Sequence, residues 1–152
     1  MGVYAEKAVK LFKEEGWNCA QAVCGAFTDL TGLDKRTAML VSSSFGGGMG
    51  RMREVCGAVS GALMVLGVMC ASDDSSDREA KAAHYALVQE FARRFRERSG
   101  SIICRELLAN QADTNPVPEE RTEKYYKKRP CALLVQDAAE ITEELLSEAG
   151  KI

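Results

Sequence analysis

Six cysteines hold most of the chemistry this sequence offers: Cys19, Cys24, Cys56, Cys70, Cys104 and Cys131. A deprotonated thiol is a nucleophile, a partner in reversible disulfide formation and a soft metal ligand. The local arrangements that usually announce such chemistry are missing: there is no C-x2-C pair, no C-x2-C-H haem attachment and no ferredoxin-type run. Any site must therefore be assembled by the fold. On one helix, Cys19 and Cys24 would stand about 140° apart around the axis and about 7.5 Å along it, which keeps them from pairing. Cys70 lies roughly 21 Å beyond Cys56 on the same reckoning, too far to share a small site. Cys24 and Cys70 are read as packing residues, leaving Cys19, Cys56, Cys104 and Cys131 at intervals of 37, 48 and 27 residues.

These four fall at or near predicted helix starts. Cys19 follows a capping Asn18, Cys104 stands shortly after a capping Ser101, and Cys131 follows Pro130, which suits a first helical position. Cys56 falls one to two turns into a helix expected to begin after the glycine run Gly46–Gly48 and Gly50. Unpaired N–H groups and the partial positive charge of a helix N-terminus favour a thiolate, so lowered thiol pKa values are expected.

The elements that must position these thiols read as helices throughout, with no sustained period-two alternation and no hairpin turn. The first, about Val3–Glu15, stops at Gly16; the second carries Val23, Phe27 and Leu30 and closes at Gly32; Asp34 opens a third through Val41. A buried central helix is predicted over about residues 51–70. Its uncharged stretch Val55–Ser72 is diluted by glycine, serine and cysteine, which argues for a core position rather than a membrane span. Gly57 and Gly61 share a face where another backbone can come close. A polar linker at 72–77 leads into a long amphipathic helix with Leu87, Phe91 and Phe95 inward and Arg93, Arg94, Arg96 and Arg98 on the solvated side. A short helix around Leu107, a break at Asp113–Pro118 and a final helix bearing Leu134, Ala138, Ile141 and Leu145 complete an all-α, single-domain helical bundle over residues 1–152.

Charge narrows the function. With 20 Lys and Arg against 22 Asp and Glu, the net charge of −2 gives no basic field for nucleic acid or anionic lipid. The N-terminus shows no export-signal pattern, so a cytoplasmic location is expected, where cysteines more often serve reactivity or metal binding than structural disulfides.

The pattern Cys19, then Cys56-Gly57-Ala58-Val59-Ser60-Gly61, then Cys104 and Cys131 resembles the C_GCAxxG_C_C family of redox-active proteins, and it covers nearly the whole chain. The resemblance carries over to those four cysteines and implies redox activity without naming a substrate. A similar domain accompanies haem in some multi-cofactor cytochromes, which favours an iron–sulfur cluster and electron transfer here.

Three readings stay open. Cys19, Cys56, Cys104 and Cys131 could ligate an iron–sulfur cluster for electron transfer or redox sensing with an unidentified redox partner protein; a structural zinc site would use the same ligands but usually draws them in close pairs. Alternatively Cys56 attacks a disulfide and another of the four resolves, with Arg51 and Arg53 either favouring its thiolate or simply solvated. Third, the glycine run could make a non-catalytic anion-binding module, although neither a P-loop lysine nor a dinucleotide-binding spacing accompanies it. If the protein is an enzyme, it is an oxidoreductase. The lone His84 is expected as a hydrogen-bonded core residue and Trp17 as a core anchor, and small-residue helix faces would also suit a homodimer.

Overall fold

Helix starts and stops follow local capping chemistry. In the computed structural model, which describes residues 1–152, the first helix, α1 (Val3–Lys13), ends just before Gly16, whose φ of 72° turns the chain out. Helix α2 (Cys19–Ala26) opens with a reciprocal cap: the Asn18 side chain accepts from the Gln21 N–H at 2.9 Å, and the Asn18 N–H donates to the Gln21 side chain at 3.0 Å. A single turn, α3 (Thr28–Thr31), closes at Gly32, and Asp34 caps α4 (Lys35–Ser42) through the Thr37 N–H. The glycine turn α5 (Gly46–Met49) follows.

The central helix α6 (Gly57–Cys70) begins six residues later than periodicity predicts. The cause lies in the backbone of the preceding segment. Met49, Arg51 and Arg53 have φ values of 67°, 69° and 62°, a left-handed conformation that cannot propagate a right-handed helix. Val55 then forms an antiparallel bridge with Ile103, the one piece of β-type pairing in an otherwise helical chain.

Helices α7 (Arg78–Ser99), α8 (Cys104–Leu108), α9 (Glu123–Lys128) and α10 (Cys131–Glu148) complete the architecture. Pro130 takes the cap position of α10, and Cys131 is its first helical residue. The cap of α8 is Ile103; Ser101 accepts the Ile103 N–H at 2.9 Å one step upstream of the predicted role.

Helix α6 sits at the centre, packed on α2, α10 and α7, while α1 covers α2 and α10. Ala58, Val59, Ala62, Val65 and Leu66 of α6 meet Phe91 and Phe95 of α7 and Leu134, Val135 and Ile141 of α10 in one apolar cluster. Each large aliphatic or aromatic side chain so buried contributes about 1.5–3 kcal/mol. Arg94 and Arg98, expected in solvent, instead lace α7 to α10 through Glu144, Glu148 and Glu140. No helix is long and apolar enough to cross a membrane. His84 is half-buried on α7, and its Nδ1 has no hydrogen-bond partner, contrary to the bonded role expected of it.

Candidate functional site: four thiols around one cavity

The four cysteines singled out by sequence reach one place by three structural devices. The first is the bridge between Val55 and Ile103. The Cys56 N–H donates to the Ile102 carbonyl at 2.7 Å and the Cys104 N–H to the Glu54 carbonyl at 2.6 Å, so two thiols 48 residues apart are held on paired backbone. The second is the glycine face of α6. A Cβ at Gly57 would overlap Cys19 Sγ and lie 2.7 Å from the Phe45 carbonyl oxygen; one at Gly61 would overlap the Ala20 carbonyl oxygen and lie 3.1 Å from its carbon. Only glycine lets the start of α2 rest on α6, which sets Cys19 beside Cys56. The third is Pro130, which starts α10 at Cys131 and delivers that thiol to the same place.

Cys19, Cys56, Cys104 and Cys131 all line one cavity of about 260 Å³. Phe12, Leu108 and Leu134 contribute apolar walls. All six cysteines are free thiols. Cys24 is buried on α2 and Cys70 half-buried at the end of α6, and neither lines the cavity, as their positions on the helices foretold.

Burial overturns the expected acidity. The Cys56 thiol is pushed well above the ordinary thiol range, first by desolvation and then by the neighbouring Cys19, and the N–H groups of Ala58 and Val59 only partly offset this. Cys131 is pushed up to about 12 by burial and by Cys19, with Arg129 pulling the other way. Cys104 is likewise raised by burial and eased by Arg53. A helix N-terminus stabilises a thiolate, but loss of water costs these thiols more. Cys56, the expected attacking thiol, is therefore buried and protonated.

Sequence reasoning missed Arg121 and Arg129, and it weighed Arg53 only as a partner of Cys56 or as solvated. Arg53 is 2 % exposed, with Nη1 3.8 Å from Cys104 Sγ and Nε donating to the Asp113 carbonyl at 2.8 Å. It faces Cys104 rather than Cys56, and it is not solvated. Arg51 pairs with Asp113 at 3.1 Å. Arg129 is 7 % exposed, paired with Glu119 at 3.3 Å and lying over the Tyr125 ring. Arg121 donates to the Phe12 and Trp17 carbonyls and tethers the segment before α9 to the core. The one available signal was adjacency, since Arg129 stands two residues before Cys131 and Arg53 three before Cys56. The glycine run forms part of the wall: Gly46, Gly47 and Gly50 line the cavity, and Gly48 sits where a Cβ would come within 2.6 Å of Cys104 Cβ.

The fold and site define an all-helical protein that gathers four thiols and several arginines at one cavity. Its family follows from the same residues. The family described as "Putative redox-active protein (C_GCAxxG_C_C)" matches residues 17–145, and the chain belongs to it. No curated protein and no solved structure matches the chain.

Proposed function

We propose that the cysteine cavity is the seat of the protein's redox activity and that Cys19, Cys56, Cys104 and Cys131 hold an iron–sulfur cluster for electron transfer or redox sensing. The observation that carries this reading is the disposition of the thiols. Four of them, drawn from four separate stretches of the chain, line one cavity of about 260 Å³. Four thiolates are the usual ligand set of an iron–sulfur cluster, whereas structural zinc sites usually draw their ligands in closely spaced pairs, which this sequence lacks. An iron–sulfur cluster supplies a one-electron couple whose potential depends on charge, hydrogen bonding and solvent exposure.

The chain's own residues suit an anionic centre. Arg53 and Arg129 bring buried positive charge to the cavity, and the N-termini of α2 and α10 add partial positive charge at Cys19 and Cys131. Phe12, Leu108 and Leu134 give the cavity apolar walls. Because three of the thiols hold their protons tightly, ligation must displace those protons, and metal uptake is favoured by rising pH. The same burial weighs against disulfide exchange initiated by Cys56.

Purification without oxygen, with iron and sulfide analysis and a visible spectrum, tests the reading. Absorption beyond 400 nm with stoichiometric iron and sulfide, lost in Cys56→Ser but kept in Cys70→Ser, is the expected result. A colourless, metal-free protein whose four thiols oxidise reversibly would replace it with thiol–disulfide chemistry.

A further inference from the structure

Two arginine nitrogens in the cavity wall have no partner. Nη2 of Arg53 and Nε of Arg129 are buried and make no hydrogen bond, although both side chains are more than nine-tenths buried and both line the cysteine cavity. A buried N–H of a charged group is costly to leave unmade, and a buried guanidinium without a counter-charge is costlier still.

Arg53 is the sharper case. Its contacts are the Asp113 carbonyl through Nε and the Cys104 sulfur through Nη1, and it joins no salt bridge, unlike Arg51, Arg105 and Arg129 around it. Arg129 has Glu119, but that carboxylate is half-exposed and meets Nη2, leaving Nε free. Both arginines line the same cavity as Cys104, and Arg53 Nη1 lies 3.8 Å from its sulfur.

We infer that the cavity contains a binding site for a small oxygen anion, a carboxylate or a tetrahedral oxyanion, held by Arg53 and Arg129 beside Cys104. The planar guanidinium fork matches such groups, often through two parallel hydrogen bonds. At about 260 Å³ the cavity is slightly below the range of roughly 300–1,000 Å³ typical of drug-sized ligands, which limits the anion to a small one. The site makes the thiol cavity a place where an anionic small molecule is recognised, beyond a role in carrying electrons. It does not rest on the cluster reading.

Calorimetric titration of the full-length protein with sodium sulfate and, separately, sodium acetate tests this, in low-chloride buffer and on both iron-loaded and chelator-stripped, thiol-reduced samples. One saturable site per chain for at least one anion is expected; sulfate marks a tetrahedral ligand and acetate a planar carboxylate. Arg53→Gln and Arg129→Gln should each weaken it tenfold or more, Arg53→Lys should weaken it less, and Arg78→Gln, on the exposed start of α7, should leave it unchanged. Should Arg53→Gln fail to fold, Arg53→Lys and Arg129→Gln carry the comparison. Binding confined to the stripped protein supports the site and shows that it shares space with the metal centre. No saturable binding of either anion in either form, or binding that survives both glutamine variants, overturns the inference. Iron and visible absorption read before stripping separate the two ideas: anion binding by a protein that carries no iron as purified leaves this site standing and removes the cluster, whereas an iron centre with no anion binding in either form does the reverse.

Discussion

Gly61→Ala isolates the contact that brings Cys19 to Cys56. An added methyl at Gly61 meets the Ala20 backbone, overlapping its carbonyl oxygen and approaching Cα at 3.2 Å, and a backbone cannot rotate aside as a side chain can. Alanine gains about 0.8–1 kcal/mol over glycine in a helix interior, while overpacking costs about 1–3 kcal/mol, so the balance runs from about zero to a loss of about 2 kcal/mol. Gly67 provides the control on the same helix, because nothing lies within 4 Å of a Cβ there. Gly67→Ala should gain up to about 1 kcal/mol from propensity alone. The propensity gain is common to both, so the two variants separate by the overpacking cost of about 1–3 kcal/mol, or roughly 2–12 °C in Tm for a chain of this size. Urea denaturation with an unchanged slope is the assay. If Gly61→Ala were as stable as Gly67→Ala, the close seating of α2 on α6 would be refuted.

Other consequences can be checked alongside. Gly57→Ala should displace Cys19 Sγ and lower iron retention more than it lowers Tm, measured as iron per chain after gel filtration. Asn18→Ala removes the reciprocal cap and the Nδ2 bond to the Ser43 carbonyl, and should cost about 1 kcal/mol in urea denaturation. In metal-free, reduced protein, Cys131 holds its proton up to about 12 against an ordinary 9.0, so the folded state binds that proton more tightly than the unfolded chain. Its contribution is whole below the ordinary value and is lost as pH rises towards 12, by an amount on the order of a few kcal/mol. Urea midpoints measured between pH 8 and 11 should fall for wild type and fall less steeply for Cys131→Ala.

What the sequence made legible was local. Asn18, Asp34, Gly16 and Gly32 mark helix ends through short-range capping, and the stripe from Leu134 to Leu145 faces the core as its spacing requires. The motif glycines Gly57 and Gly61 were recognisable as a close-approach face, though not their partner, Ala20 on α2. The start of α6 was hidden because Met49, Arg51 and Arg53 adopt left-handed φ without glycine, each at a cost of about 1–3 kcal/mol that surrounding contacts must offset. Those contacts are non-local, the pairing of residues 54–56 with 102–104, and no spacing rule reveals them. The buried arginines escaped for a related reason. A charged residue reads as solvated until the fold closes around it, and Asp113, whose carbonyl anchors Arg53, is 60 residues away. The thiol acidities reversed because helix-end charge can be read from sequence while burial cannot.

Iron K-edge X-ray absorption on protein loaded with iron in cells grown without oxygen tests the central claim most directly. A first shell dominated by sulfur, with an iron–iron scattering component and loss of both in Cys56→Ser, is the predicted result. A shell of nitrogen and oxygen alone, or sulfur ligation that survives loss of Cys56, would contradict a cluster held by these four thiols.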